Sequence, residues 1–498
     1  MRSNTLQLKR AVSAVLFVLL LSAVGMTKAF AQSFTVGYLN YSVNNDGATV
    51  TVTGHVNGTG ATGELVIPET VTYNESTYSV TTIGTDAFLQ CSRLTGNLVI
   101  PNSVTTIEEW AFRDCEGFNG TLTIGNSVTT IGDFAFCFCW GFTGNLVIPN
   151  SVTTIGEFAF SECSGFTGDL VIPNSLTTIS EYSFLNCNGF TGNLVIPNSV
   201  TTIEAFAFSG CGGFTGNLVI PNSVTTIGYG AFSDCGGFTG NLVIPNSLDT
   251  IFAQAFCNCT GFSSVEYNAT NCADVQLWDE YAPFYFCTGH LIIGESVERI
   301  PANMFKWSAF SQILSHAEMP PTVGTDAFYG IDHDILVYVP CGSLSDYQNS
   351  EGWNEFNNIF NTCLEITALV IPANSGTVTG TGTYEMGTTC TLTAIANEGY
   401  TFLYWIENET VVSTDATYSF VVTEDRNLVA GFIVPGSLGD VNDDHVVNVA
   451  DVQAVASYIY GYYLPTFNVI NADANQDGKI DIGDIQAILM IIQNYQPD

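Results

Sequence analysis

The chain has 498 residues, of which 47 are Asp or Glu and only 10 are Lys or Arg, so its formal net charge is −37 at pH 7. A charge of this sign excludes nucleic acid and anionic lipid as natural partners and favours divalent cations or cationic surfaces. The length allows about three or four ordinary domains, or one elongated repeat array with added modules.

Residues 1–31 have the pattern of a secretory signal sequence. Three basic residues precede the apolar run at 11–24, and Ala29-Phe30-Ala31, with small residues at its first and third positions, forms a cleavage site. The run is shorter than the roughly 20 residues of a spanning helix, so we expect no transmembrane anchor after cleavage. Cleavage takes four of the ten basic residues and none of the 47 acidic ones, which leaves a mature charge of −41. We expect a secreted or cell-surface protein.

Residues 32–365 are predicted to form a solenoid, because a sequence segment similar to NLVIPNSVTTIGEFAFSECSGFTG at 145–168 recurs every 24 residues. A fixed period in the twenties is typical of leucine-rich repeats, in which each coil buries its apolar residues against its neighbours. The predicted fold is mainly β, with one strand per coil in a parallel ladder, a short helical turn per coil, an N-terminal β cap and diverged C-terminal coils. The columns that carry this prediction are leucines 98, 122, 146, 170, 194, 218 and 242 and phenylalanines 112, 136, 160, 184, 208, 232 and 256.

Within one coil, alternation in NLVIP places Leu146 and Ile148 inward and Val147 outward. EFAFSEC is predicted as the helical turn and SGFTG as a glycine-assisted bend. Threonine pairs such as 153–154 predict a plain β surface. The outward valines predict an apolar stripe that either binds a partner or is covered by neighbouring side chains; they are Val99, Val147, Val171, Val195, Val219 and Val243.

Fourteen of the fifteen cysteines fall into two groups. A column at 91, 115, 139, 163, 187, 211, 235 and 259 has parallel side-chain directions that oppose disulfide geometry, so these residues are predicted to be buried thiols. The better disulfide candidates, with their pairing open, are Cys137, Cys257, Cys272, Cys287, Cys341 and Cys363.

Residues 366–434 read as short alternating strands and predict a small β module. Residues 435–498 follow a linker and contain two acidic loops that are 33 residues apart. Calcium takes about six or more oxygen ligands, and loop positions 1, 3, 5, 7, 9 and 12 supply them, position 7 through its backbone carbonyl. Two Ca²⁺ sites are predicted. Their ligands are Asp440, Asn442, Asp444, Val446, Asn448 and Asp451 in loop 1, and Asp473, Asn475, Asp477, Lys479, Asp481 and Asp484 in loop 2.

Apolar residues at helical spacing follow each loop, which predicts two helices that pack together. Gly478 supplies the sharp turn at position 6 of loop 2, whereas His445 occupies that position in loop 1. No catalytic residues are predicted, because none of the five histidines has a nucleophile or a metal ligand at a spacing typical of a catalytic or metal-binding motif. We therefore do not expect an enzyme.

Three resemblances fit these patterns. IPNSVTTIGEFAFSEC, YNATNC and VYVPCGSLSDYQNSEGW resemble the BspA-like leucine-rich repeat proteins of bacterial surfaces, over about 32–365. Residues 366–434 resemble the internalin-B-type β repeat. Residues 435–498 resemble a dockerin, the duplicated Ca²⁺ module that binds a cohesin on another protein.

The resemblances imply a non-enzymatic bacterial adhesion scaffold. Its repeat face would bind a protein or glycan on a host or bacterial surface, and its tail would dock on a cohesin-like partner. The positions that contact cohesin in dockerins often carry hydroxyls, but here they are Val449-Ala450 and Ile482-Gly483. A subunit of a polysaccharide-degrading assembly and a structural spacer without a ligand are the alternatives.

Overall fold

The structure of the chain is a computed structural model. The predicted signal sequence at 1–31 lies outside the described residues. No helix among the described residues is long and apolar enough to cross a membrane. The structure describes residues 32–277, 280–408, 410–434 and 438–494.

The chain divides into two units, and the division falls within the predicted end of the solenoid rather than after it. The first unit contains the repeats, and the second contains the β module and the two loops. Their bounds are Met1–Val337 with Tyr347–Asn358, and Tyr338–Asp346 with Ile359–Asp498.

The first unit begins with a β cap. Strands β1, β2 and β3 form an antiparallel meander, β3 pairs in parallel with β5, and β4 pairs antiparallel with β5. The Asp46 carboxylate accepts hydrogen bonds from the backbone N–H groups of Ala48 and Thr49, both at 2.9 Å, which fixes the turn at Asp46-Gly47 between β2 and β3. The bounds are β1 (Ser33–Val36), β2 (Leu39–Val43), β3 (Thr49–His55), a 3-10 helix (Gly58–Gly60), β4 (Thr70–Tyr73) and β5 (Ser76–Ile83).

Most regular coils contribute to two strand ladders, where the sequence predicted one; the NLVIP segment forms no strand at 145–149 and only an isolated bridge at 217–221. The additional ladder is formed by the TTI segment, in which Thr points outward and Ile inward; a two-residue strand is too short to show as an alternation. Its strands are β7 (Thr106–Ile107), β9 (Thr130–Ile131), β10 (Thr154–Ile155), β12 (Thr178–Ile179), β14 (Thr202–Ile203), β15 (Thr226–Ile227), β17 (Thr250–Ile251), β20 (Arg299–Ile300) and β22 (Thr322–Val323).

The predicted ladder is formed by the NLVIP segment and its diverged equivalents. Pairing is parallel and places identical residues opposite one another, as with Leu170 and Leu194. The diverged coils continue it, with Val265 opposite Leu291 and Leu291 opposite Ile313, so the solenoid has about 12 coils. The strands are β6 (Leu98–Val99), β8 (Leu122–Thr123), β11 (Leu170–Val171), β13 (Leu194–Val195), β16 (Gly240–Ile244), β18 (Phe262–Tyr267), β19 (His290–Ile293) and β21 (Gln312–Ser315).

The predicted helical turn is a run of tight turns rather than a continuous α-helix. The Ser161 N–H bonds back to the Phe158 carbonyl at 3.1 Å, whereas the Glu162 N–H bonds to the Leu185 carbonyl of the next coil at 2.7 Å. Phe158 and Glu162 have φ of 55° and 62°, a left-handed conformation that is uncommon for large side chains. The hydrogen bonds to the next coil compensate for this strain, and the next coil repeats the arrangement.

The core consists of stacked columns. The rings of Phe136 and Phe160 lie 5.3 Å apart with an interplanar angle of 8°, and both are fully buried. The Cys163 thiol donates to the Phe136 carbonyl at 3.0 Å. The same contact repeats through the cysteine column, from Cys115 to Cys259. The predicted buried thiols are therefore present, and each satisfies a carbonyl of an earlier coil.

Residues 347–358 close the C-terminal end of the first unit. The Trp353 indole N–H donates to the Pro321 carbonyl at 2.8 Å, and the Tyr347 hydroxyl donates to the Ala317 carbonyl at 2.8 Å. Both side chains are fully buried. Around this end lie β23 (Leu336–Val339), α1 (Leu344–Asn349) and β24 (Asn358–Asn361).

The second unit contains the β module and the helical module. Two sheets, with strand orders β27-β25-β32-β29-β30 and β26-β28-β31, enclose a core that includes Trp405 and Phe432. Cys341 and Cys363 form a disulfide in this unit. The strands are β25 (Cys363–Ile371), β26 (Gly376–Thr379), β27 (Gly382–Glu385), β28 (Thr389–Ala396), β29 (Thr401–Glu407), β30 (Thr410–Ser413), β31 (Thr417–Val421) and β32 (Arg426–Ile433).

The helical module has the two predicted helices and a short third one. Helices α2 and α4 pack together around a core that includes Val455 and Ile488. The helices are α2 (Val449–Ile459), α3 (Val469–Ala472) and α4 (Ile482–Asn494).

Candidate calcium-binding and interaction sites

Loop 1 is the turn that leads into α2. Asp440 and Asp451, at positions 1 and 12, are at most 2 % exposed. Asp440 accepts hydrogen bonds from the N–H groups of Asp444 at 3.1 Å and His445 at 2.8 Å. Asp451 accepts one from Val441 at 2.7 Å. The loop is thus wound around two buried carboxylates.

Loop 2 repeats this winding before α4. Asp473 accepts hydrogen bonds from the N–H groups of Asp477 and Gly478, each at 3.0 Å. Asp484 accepts one from Asp481 at 2.8 Å. Burial raises the pKa of both the Asp473 and the Asp484 carboxyl. Buried carboxylates that are held by backbone N–H groups alone are a costly arrangement unless a cation neutralises them.

The side chains at positions 3 and 5 stabilise the turns of each loop. In loop 1, Asn442 accepts from the Asp444 N–H at 3.0 Å, and Asp444 accepts from the Val446 N–H at 2.9 Å. The same two bonds recur in loop 2, from Asp477 to Asn475 and from Lys479 to Asp477, both at 3.0 Å.

Position 9 differs between the loops. The Asn448 side chain accepts from the Ala450 N–H at 2.7 Å as the N-cap of α2, and its amide donates to the Val446 carbonyl at 3.0 Å. In loop 2 the Asp481 carboxylate accepts from the Gly483 N–H at 2.7 Å. The position-7 carbonyl of loop 1 therefore already has a partner within the loop.

Position 6 also differs between the two loops. Gly478 has φ of 84° and His445 has φ of 69°, so a histidine occupies a left-handed conformation that glycine adopts without cost. Its Nδ1 lies 3.9 Å from a carboxylate oxygen of Asp440.

The fit of the two loops to Ca²⁺ rests on their chemistry. Among the described residues, no Lys or Arg forms an ion pair with any of the four buried carboxylates. The described part of the chain also shows no group of three or more His, Cys, Asp or Glu side chains arranged around one metal position. The predicted donor sets include amides and a main-chain carbonyl beside the carboxylates, which is the oxygen-rich mixture that Ca²⁺ binds.

Two apolar residues occupy equivalent positions at the start of α2 and α4. Val449 is 57 % exposed and Ile482 is 70 % exposed. They lie 33 residues apart, as the loops do. The helical module therefore presents a pair of exposed apolar side chains at equivalent positions of its two halves.

The outward valine stripe of the solenoid is present and exposed. Its members range from 41 % exposed at Val243 to 68 % at Val147, so neighbouring side chains do not cover it. Val66 extends the stripe at its N-terminal end, and Thr123 interrupts it. A groove of about 680 Å³ lies beside Val99 and Val147.

A second column of side chains was missed from the sequence. Trp110, Phe134, Phe158, Tyr182 and Phe206 precede the core phenylalanines by two residues and are half-buried. Phe134 and Phe158 stack at 4.5 Å, and Phe158 and Tyr182 at 4.3 Å. From Phe134 to Phe206 the ring faces cover one another, so this part of the column joins coils rather than offering free faces to a ligand.

Comparison with known families supports the three resemblances. Residues 81–192 and 190–311 match the BspA type leucine rich repeat region in 6 copies. Residues 366–434 match the divergent InlB B-repeat domain, and residues 438–493 match the dockerin type I domain. The chain contains these three kinds of domain, as the motifs predicted.

Solved structures of leucine-rich repeat proteins are similar over most of the solenoid. A leucine rich cell surface protein from Faecalibacterium prausnitzii A2-165 is 23 % identical, with 66 % of this chain and 95 % of that chain covered and a TM-score of 0.40. A leucine-rich repeat protein from Bacteroides ovatus ATCC 8483 is 21 % identical, with 68 % and 95 % covered and a TM-score of 0.44. No curated protein matches the chain. At these identities and TM-scores the likeness carries no functional weight.

Proposed function

We propose that this chain is a non-enzymatic adhesion scaffold that is secreted or held at a bacterial surface. Its repeat face binds a protein or glycan on a host or bacterial surface. Its C-terminal module binds two Ca²⁺ ions and attaches the scaffold to a cohesin-like partner. The observation that carries the proposal is the pair of loops within the dockerin type I match, each with two buried carboxylates.

The two ions would be held by the predicted ligand sets. When bound, Ca²⁺ supplies the positive charge that the buried carboxylates lack among the described residues. Asp451 and Asp484 also accept the N–H bonds that close each loop onto its helix. Calcium binding and the folding of the module are therefore one process.

The partner of the C-terminal module should present an apolar surface. Val449 and Ile482 are exposed at equivalent positions, and burying a large aliphatic side chain contributes about 1.5–3 kcal/mol. A cohesin that relies on hydrogen bonds to hydroxyls would lose them against this pair. We therefore expect preference for an apolar cohesin surface.

The proposed binding surface of the repeats is the valine stripe. From Val147 to Val243 the exposed apolar stripe is contiguous, and such a stripe on a secreted protein is typical of an interaction site. No Lys or Arg occurs between Arg113 and Arg299, so this surface disfavours acidic ligands. A neutral or cationic protein or glycan surface fits it better.

Calcium titration of the mature protein, residues 32–498, tests the tail. Calorimetry should show two bound ions per chain, and the double variant Asp451→Ala with Asp484→Ala should bind none. The matched control is Asp443→Asn, which removes one charge at a loop position outside the predicted ligand set. Attachment is then measured against a panel of purified cohesin modules, with and without chelator. Absence of calcium binding, or equal binding of cohesins by the double variant, would overturn this part of the proposal.

Adhesion is tested separately, on immobilised host-matrix proteins and bacterial cells. Replacing Val147, Val171 and Val195 together with Asn should reduce retention at least tenfold, while Thr153→Asn with Thr177→Asn on the neighbouring face should not. Equal retention of both variants would mean that another face binds, and retention by none of the surfaces would favour a spacer.

A polysaccharide-degrading assembly is the second candidate, and the dockerin match favours it. In that case the partner modules would belong to an assembly that carries catalytic subunits, and this chain would supply substrate or surface binding. Binding to the cohesins of such an assembly, without binding to any host or bacterial surface, would select this function over adhesion.

A further inference from the structure

The last coil of the repeats ends a ladder of backbone hydrogen bonds. In the regular coils, from 86–90 to 254–258, three alternate N–H groups of the tight turns donate to carbonyls of the next coil. The N–H groups of Asn303, Phe305 and Trp307 do the same toward the coil at 325–329, at 2.8 to 3.0 Å. No further coil of this kind follows it in the first unit.

The equivalent donors of this last coil are the N–H groups of Asp326, Phe328 and Gly330. None of the three has an acceptor among the described residues. Asp326 and Gly330 have φ of 57° and 80°, and their equivalents Asn303 and Trp307 have φ of 62° and 57°. The backbone thus repeats the preceding turn, and its donors face the end of the stack. They form an open row of hydrogen-bond donors, comparable to the edge of a sheet.

A pocket of about 580 Å³ lies at this row of donors. Its lining includes all three donor residues, together with Glu351 and Glu355 of the segment that closes the first unit. Both glutamates are exposed. The pocket therefore offers backbone donors on one side and carboxylate acceptors on the other, in a volume typical of small-molecule sites.

Two exposed aromatic rings complete the pocket. Trp307 is 39 % exposed and Tyr329 is 54 % exposed, and the two rings meet edge to face at 5.4 Å. A Cβ at position 330 would lie 2.4 Å from Cε3 of the indole, so Gly330 allows the backbone to lie against Trp307. Lys306 Nζ lies 5.1 Å from the centroid of the Tyr329 ring. The tyrosine thus keeps an open ring surface at the pocket.

From this arrangement we propose that the pocket binds a neutral glycan. A sugar hydroxyl both accepts and donates hydrogen bonds, so it can accept from the N–H row and donate to Glu351 or Glu355. The C–H face of a sugar ring packs on an aromatic ring, whose face carries partial negative charge. An anionic ligand would be repelled by the glutamates, and an ammonium group would leave the N–H row without acceptors.

A peptide strand fits the end of the stack less well. A Cβ at Gly352 would lie 2.7 Å from Cβ of Val323 on β22, so the closing segment already packs where the next strand of that ladder would run. The space that remains suits a short ligand rather than a further coil. The site is separate in sequence from the valine stripe and depends on neither that stripe nor calcium.

An array of defined oligosaccharides tests the proposal on the mature protein, residues 32–498. The array contains short neutral chains of glucose, galactose or N-acetylglucosamine, and sialylated and sulfated chains. At least one neutral chain should be retained, and its sialylated or sulfated counterpart should be retained less. A lysine-rich peptide, as the cationic probe, should not displace the retained chain.

Variants then locate the binding. Tyr329→Ala should weaken binding of the retained chain about tenfold, because it removes the open ring. The matched control is Phe286→Ala, since Phe286 is 51 % exposed on an earlier coil and lies outside the pocket; it should leave the affinity within about twofold.

The carboxylates are tested in the same way. The double variant Glu351→Gln with Glu355→Gln should weaken binding about three- to tenfold. Glu295→Gln with Glu298→Gln makes the same change of charge outside the pocket and should not weaken it.

Hydrogen exchange of the wild-type protein tests the N–H row without any substitution. Amides at 326–330 should exchange faster than those at 303–307 in the free protein, because they lack acceptors, and the retained chain should slow them.

The outcomes decide the proposal. Retention of no neutral chain, equal retention by Tyr329→Ala, preference for sialylated or sulfated chains, or displacement by the lysine-rich peptide would each overturn the glycan site. Replacement of Val147, Val171 and Val195 with Asn should leave retention of the chain unchanged. Failure of this site is therefore distinguishable from failure of the valine stripe.

Discussion

The repeat region and the helical module bury very different groups. In the repeats, the interior consists of rings, aliphatic side chains and thiols, each facing its equivalent in the next coil, as Phe136 faces Phe160. In the helical module, four aspartates are at most 2 % exposed around two loops. The first interior is neutral, and the second carries negative charge.

This difference determines what each region depends on. A coil obtains its stability from nearest neighbours, so the array is held by many equivalent interfaces and needs no ligand. The helical module has a small apolar core and buried like charges, so we expect its stability to depend on a bound cation. In the proposed function, the chain combines a permanent binding surface with an attachment module that responds to calcium.

Removal of calcium should affect the two regions most unequally. A ligand at a thousand times its Kd stabilises the folded state by about 4 kcal/mol per site, and the helical module has two predicted sites. Chelation should therefore abolish or greatly lower the unfolding transition of the helical module while the transition of the repeats stays within about 2 °C. Calorimetry of the mature chain with and without chelator measures both.

Two variants serve as controls for this comparison. In the double variant Asp451→Ala with Asp484→Ala, chelation should no longer shift the unfolding transition of the helical module, whereas in Asp443→Asn it should still do so. A repeat transition that moves with calcium as much as the helical one would contradict the division.

Truncation within the stacked column should be the strongest single change in the repeats. Phe160→Ala removes a fully buried ring from between Phe136 and Phe184 and should cost about 3–5 kcal/mol of unfolding free energy. Phe158→Ala, in the half-buried column, should cost less than half of that. Denaturant midpoints and protease sensitivity of the two variants provide the measurement, and equal losses would show that the outer column carries as much stability as the core.

Much of this fold could be predicted from residues that recur at a fixed spacing. The leucine and phenylalanine columns identified the solenoid, because a 24-residue spacing of apolar residues is typical of stacked coils. The acidic loops identified the helical module, because oxygen-bearing residues at this spacing are typical of a calcium loop. The second ladder was missed because Thr130–Ile131 is too short to show a period. The outer aromatic column was missed because Phe134 and Phe158 have positive φ, a conformation that a large side chain gives no reason to expect.

The candidate site divides in the same way. Spacing along the chain predicted the ligand sets of both loops, and these remain predictions until calcium binding is measured. The packing of α3 against β32 could not be predicted from spacing, because only the folded β module brings the two elements together. Likewise, spacing did not pair Cys341 with Cys363.

The thiol column gives a smaller effect with a distinct pH dependence. Burial raises the pKa of the Cys163 thiol well above its ordinary value, and that of Cys211 to about 12. A group with a raised folded pKa contributes stability below its unfolded pKa, near 8.5, and that stability is lost as pH rises toward the folded value. Cys163→Ala should therefore cost about 1–2 kcal/mol at pH 7, because the Phe136 carbonyl loses one of its two donors and the missing sulfur leaves a small cavity, and should become less costly at pH 10.

Cys163→Ser is the matched variant for this measurement. It keeps a donor to the carbonyl and should cost less than Cys163→Ala at pH 7, while it also removes the ionisable group. Denaturation midpoints at pH 7 and pH 10 provide the comparison. Parallel losses of wild type and both variants between the two pH values would contradict the neutral, buried thiol.

The smallest expected effect compares the two loops with each other. Gly478→Ala places a Cβ at φ of 84° and should cost about 1 kcal/mol. His445→Gly relieves the same strain at φ of 69°, but glycine also gains freedom in the unfolded chain, worth about 0.5–1 kcal/mol, so the two terms nearly cancel and we expect a change within about 0.5 kcal/mol. Thermal unfolding of the mature chain in saturating calcium measures both variants. Loop 1 differs from loop 2 both at position 6, where it has His445, and at position 9, where it has Asn448 in place of Asp481. A stabilisation of more than about 1 kcal/mol by His445→Gly would show that the histidine at position 6 is the difference that lowers the stability of loop 1.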